Sequence, residues 1–140
     1  MALLRDEGLI KTFLAGGLIL PYRFVKGGAN EGTVLQAAAA TDPIIGISYI
    51  PMGYADPIKY GSTVPQISVE TGKPIDVVIT GSFHVEFGAA ITAWQLCTSD
   101  AQGRAVPLGG TPAAGSFIVR ACSAGNVGAV KPVLLMQTVA

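Results

Sequence analysis

Short runs of β-branched and aromatic residues recur from about residue 18 to the end, separated by Gly, Pro, Asn and Asp. That spacing predicts an all-β domain of the sandwich or barrel kind, and helix signals are nearly absent. Arg23 to Lys26 leads into Gly27-Gly28-Ala29-Asn30-Glu31-Gly32, whose residues tolerate positive φ, before Thr33 to Gln36 resumes an extended run. The segment reads as a β-hairpin. Ala37 to Ala40, closed by Thr41-Asp42-Pro43, is too short to nucleate a helix and reads as a connector. Ile44 to Ile50 predicts a compact apolar strand, in which Gly46 marks a bulge or a close backbone approach.

Met52 to Pro65 reads as a long loop in which Tyr54 and Tyr60 can lie over a surface with their hydroxyls wet. Ile75 to Thr80 and Phe83 to Phe87 flank Gly81-Ser82, which predicts a tight hairpin. In the second run Phe83, Val85 and Phe87 alternate with His84 and Glu86, giving one apolar face. Gln95 to Thr98 and Arg104 to Val106, joined by Ser99 to Gly103, predict another hairpin, and residues 107–115 an exposed excursion. Phe117 to Cys122 and Val130 to Gln137 read as the last strands, and no strict internal repeat is visible.

Ahead of a single β domain over residues 15–140, residues 1–14 read as an N-terminal arm carrying Leu3, Leu4, Leu9, Ile10, Phe13 and Leu14 among charges. A frayed terminus or a short amphipathic helix on its own barrel is the plain alternative. An arm lying across a neighbouring subunit, adding a strand to an exposed edge, is preferred.

Composition sharpens this picture. Only 13% of residues are charged, against about 25% in an average soluble domain. The 18 Gly and 9 Pro interrupt every apolar run, so no segment resembles a membrane helix. A charge-poor surface that is neither disordered nor lipid-embedded predicts cover by other protein, and hence an oligomer. Nine basic and nine acidic residues, without a basic cluster, exclude a nucleic-acid backbone as direct partner. Thr12 to Leu20 fits a secretory h-region poorly, because Asp6 and Glu7 precede it, Gly16 and Gly17 interrupt it and Pro21-Tyr22-Arg23 follows. Cys97 and Cys122 read as reduced, partly buried thiols.

Chemistry is sparse. Ser82, His84 and Glu86 share one strand face, but such neighbours point in parallel, whereas a triad needs convergent hydrogen bonds. One histidine and two distant cysteines are a poor metal set. The glycines match neither a Walker loop nor a dinucleotide fingerprint. The chain is expected to be no enzyme and to need no cofactor. Trp94 reads either as an interface anchor or as core packing.

Three segments carry a specific resemblance. Phe24-Val25-Lys26-Gly27-Gly28, Gly32-Thr33-Val34 and Ala40-Thr41-Asp42-Pro43-Ile44-Ile45-Gly46-Ile47 resemble the opening of the phage capsid cement, or head decoration, proteins. There a hairpin precedes a strand that begins Thr-Asp-x-x-x-Gly. Gly81-Ser82-Phe83-His84-Val85-Glu86 with Gly88-Ala89-Ala90-Ile91-Thr92-Ala93 is similar to that family's repeated glycine pattern. Leu96 to Ala105 is similar to its Leu-x-x-x-Asp-x-x-Gly-Arg-Ala hairpin. Together these span residues 15–137 in order. Trp94 departs from the pattern, which has Gly near that place.

The resemblance implies a small β-barrel or β-tulip domain that assembles as a homotrimer on the outer capsid surface. There it would bridge major capsid protein subunits and stabilise the head against packaged DNA. Leu3, Leu4, Leu9, Phe13, Leu14, Tyr54, Tyr60 and Trp94 are the candidate assembly residues. Two other classes fit the composition. One is a trimeric lectin-like module stacking sugars on Tyr49, Tyr54, Tyr60 and Trp94; the other is a tail-tube or head-completion subunit.

Overall fold

The computed structural model describes residues 8–49 and 68–136, and nine strands and no helix lie among them. The strands are β1 (Gly8–Ala15), β2 (Phe24–Gly27), β3 (Thr33–Gln36), β4 (Gly46–Tyr49), β5 (Pro74–Glu86), β6 (Leu96–Ser99), β7 (Ala105–Pro107), β8 (Ile118–Ala121) and β9 (Val130–Met136). They form one mixed sheet in the order β1-β3-β2-β4-β5-β9-β8-β6-β7, and β1 also pairs with β5. The all-β expectation holds, but the sheet as a whole does not close into one barrel.

The pairings close locally, twice. In the first half β1, β3, β2, β4 and β5 form a circuit that returns to β1. In the second half β5, β9, β8, β6 and β7 do the same, returning through the parallel bridge of Phe87 with Ala105. The thirteen-residue β5 serves both circuits. Its first part pairs with β1 and β4, its last part with β9.

This corrects the hairpin expected at Gly81-Ser82. Gly81 does take a positive φ of 96°, yet the chain runs straight on, because Gly8 of β1 and Leu135 of β9 lie opposite it. A Gly-Ser pair between apolar runs serves a strand that changes partners as well as a reversal. The hairpins expected at residues 24–36 and 95–106 are present. The described part of the expected arm, from Gly8 onward, is β1, paired within its own chain. The loop expected over Met52 to Pro65 lies outside the described residues.

The halves are copies of one design, so the sequence hid a repeat. Ala15, Ile19 and Tyr22 of the first half correspond to Phe87, Ile91 and Trp94 of the second. Ile19 bridges Val69 as Ile91 bridges Gly125. Ala15 N–H donates to Lys73 O as Phe87 N–H donates to Ala129 O, at 2.9 and 2.7 Å. Across residues 9–27 and 81–99 only Gly16 with Gly88 and Ile19 with Ile91 are identical, too few to be visible as a motif.

Burial explains why strict alternation fails in the first half. Adjacent Val77 and Val78 are both buried, as are adjacent Phe24 and Val25. Val25 and Val77 join Ala15, Ile19, Val34, Val69 and Ile75 in a core within the first circuit. Phe24 and Val78 join Ile47, Phe83, Phe87 and others in the larger core shared with the second half. Each fully buried side chain of this kind contributes about 1.5–3 kcal/mol.

The Thr41-Asp42 connector has a definite job. Asp42 Oδ2 accepts the Ala38 N–H at 2.8 Å and the Lys26 ammonium at 3.1 Å. The Ala38 bond, aided by Lys26, holds the carboxyl below its ordinary value of 3.8. A carboxyl with a depressed folded pKa stabilises the fold above the ordinary range and loses that contribution as pH falls through the folded value. Asp42→Asn is therefore expected to lower stability by about 1 kcal/mol at pH 7. In urea melts that difference should fade below pH 4.

Cys97 and Cys122 are free thiols. Burial pushes the Cys97 thiol up to about 11 and raises Cys122 as well. At pH 8 a disulfide-exchange reagent should react slowly with Cys122 and with Cys97 only after unfolding. Fast reaction of both in the native protein would contradict this packing.

Candidate assembly surface

Each half holds two tight turns that place their third residue at positive φ just before a strand. Those residues are Tyr22 (57°), Gly72 (83°), Trp94 (68°) and Gly128 (86°). Such turns call for glycine, because a side chain in the left-handed region meets its own backbone. Gly72 and Gly128 satisfy that demand. Tyr22 and Trp94 do not, and a bulky residue there costs about 1–2 kcal/mol.

Tyr22 is held by the seam between the halves. Its ring stacks on Phe83 with centroids 5.9 Å apart, and Tyr49 meets the same ring edge-on at 5.3 Å. Its carbonyl accepts the Glu86 N–H at 3.0 Å. Beside it Arg23 donates to Glu86 and to Gln102 O, and Arg104 pairs with Asp100 at 3.0 Å and reaches Glu86 at 3.9 Å. The Glu86 of the Ser82, His84, Glu86 strand face is thus engaged in an ion network across the seam. Ile10, Tyr22, Tyr49, Val78, Phe83, His84 and Val130 line a groove of about 320 Å³ there.

Trp94 has backbone anchors and an open ring. Its N–H donates to Ala121 O at 2.8 Å and its carbonyl accepts the Arg120 guanidinium at 2.7 Å. The side chain is 59% exposed, which rules out core packing. A bulky residue in this left-handed turn costs the isolated chain stability, and its exposed ring makes no core contact that would offset the cost.

The other candidates separate. Leu9 and Leu14 are exposed on β1, together with Ile10 on β1 and Leu18 just beyond it. Phe13 is half-buried against the first core. Leu3, Leu4, Tyr54 and Tyr60 lie outside the described residues. Trp94 stands on the second half with Val127, Val130 and Met136 as further exposed apolar side chains. The exposed apolar residues therefore fall on both halves, and Ile10 of the first and Val130 of the second line the same groove. Of the sugar-stacking candidates among the described residues, Tyr49 is packed on Phe83 while Trp94 belongs to another turn. Tyr22 escaped the sequence reading, although Pro21-Tyr22-Arg23-Phe24 and Ala93-Trp94-Gln95-Leu96 share an aromatic two residues before an apolar strand residue.

No family model and no curated protein sequence matches the chain. Among solved structures the fold is similar to the N base of the head fiber gp8.5 of bacteriophage phi29. That similarity has a TM-score of 0.57 at 17% identity and covers 96% of this chain and 100% of that one. The likeness runs through both halves and defines a shared fold.

Proposed function

We propose that the chain is a structural protein of a bacteriophage head that attaches to the outer surface of the assembled capsid. The observation that carries this reading is the fold likeness, over nearly the whole chain, to the base of a phage head fiber. The ordered cement-protein motifs and the low charge point the same way. The chain acts by binding without turnover. A homotrimer bridges neighbouring major capsid protein subunits, and multivalency makes the attachment tight. Because it favours the assembled lattice over dissociated subunits, occupancy stabilises the head against internal DNA pressure by mass action.

Co-sedimentation tests this. Heads of the parent phage that lack the protein should bind it saturably, while dissociated major capsid protein should not. Equal binding to both would remove the stabilising mechanism.

A further inference from the structure

Among the described residues, the contact around Tyr22 between the two halves of the chain is asymmetric. The first half offers the row Phe24, Ile47 and Val78, in register across β2, β4 and β5, with Tyr22 beside it. All three row residues are buried to 1% exposure or less. The second half covers this region with Phe83, Glu86 and the tip of the β6–β7 hairpin. Gln102 O accepts Arg23 and Gln36 side chains, and Gly103 O accepts the Phe24 N–H at 2.8 Å.

The same two surfaces exist once more, with one difference: Leu14 N–H and Gly32 O, the counterparts of the Glu86 N–H and Gly103 O that reach across, are bonded to each other at 3.0 Å. By the correspondence of the halves, the second half's own row is Leu96, Arg120 and Leu134, in register across β6, β8 and β9. It is only half-buried, and Trp94 stands at Tyr22's place. The described chain has no third half to cover it. The covering surface also has its counterpart, on the first half. Lys11 corresponds to Phe83, Leu14 to Glu86, and the tip Asn30-Glu31-Gly32 to Gln102-Gly103, and all five residues are exposed.

We propose that a second copy of this chain docks these first-half residues onto Trp94 and the Leu96–Leu134 row, repeating between chains the side-chain packing made within each. The proposal rests on the self-association reading above and names its surface. Trp94 then faces Lys11, a cation–π pair in place of the Tyr22–Phe83 stack. Leu14 meets Gln95, the counterpart of Arg23, which accounts for an apolar residue where the second half has Glu86. The interface is heterologous, joining unlike surfaces, so it closes into a ring when the rotation between copies permits.

The test uses two full-length variants. Lys11→Glu/Leu14→Glu spoils the covering surface and keeps the sole tryptophan. Trp94→Gly spoils the covered one and removes it. Each alone should be monomeric by light scattering where the wild type associates, with affinity reduced at least ~30-fold. Mixed, they should form a 1:1 heterodimer, and the tryptophan emission of the first variant should shift to the blue only in the mixture. Thermal melts of each variant check that both are folded. Wild-type-like association of either variant alone, or an unassociated mixture, overturns the docking surface and leaves head binding untouched. A wild type that stays monomeric in solution and on heads overturns self-association itself.

Discussion

Gly46→Ala is expected to destabilise the fold by about 3 kcal/mol, the top of the range for overpacking a core. A Cβ at Gly46 would lie 2.5 Å from Val77 Cγ1 and closer still to Val78 O. Neither neighbour can retreat. Val77 is locked in the first core and Val78 in the second, and the carbonyl belongs to β5, the strand both halves share. The effect should appear as a lower midpoint in guanidinium with an unchanged slope, since the same surface is exposed on unfolding. A loss under 1 kcal/mol would mean that β4 and β5 can part more easily than their packing indicates.

Trp94→Gly is expected to act in opposite directions on the isolated chain and on the assembly. Relief of the left-handed turn should raise the chain's own stability by about 1 kcal/mol, allowing for the extra backbone entropy of glycine. Self-association should fall by at least ~2 kcal/mol, the scale of an interfacial tryptophan hot spot. Melts at low concentration and light scattering at high concentration separate the two. A destabilised monomer would show that the ring does structural work despite its exposure.

The sequence revealed the fold class and several local devices because each depends on neighbours in the chain. Gly27 to Gly32 and Ser99 to Gly103 made hairpins, and Gly46 marked a close approach of backbones. Gly81-Ser82 misled because a glycine at positive φ suits both a reversal and a continuous strand, and which occurs is decided by Gly8 and Leu135, far away in sequence. The duplication was hidden for a related reason. It is written in backbone hydrogen bonds and turn geometry, which residues as different as Ala15 and Phe87 can supply alike.

The proposed assembly surface was partly legible. Trp94 stood out as the only tryptophan and as a departure from glycine. Leu9 and Leu14 were found as apolar residues near the terminus, but their place on a paired strand was not, since alternation along β1 is broken by the register shift between Leu9 and Ile10. Tyr22 became meaningful only when its correspondence with Trp94 was known.

Cryo-electron microscopy of heads lacking this protein, before and after saturation with it, decides whether the chain binds the outside of the shell. Added density is expected outside the shell, with three lobes at local threefold positions where major capsid subunits meet. Saturated heads with no new density on their outer surface would show that the protein does not attach there.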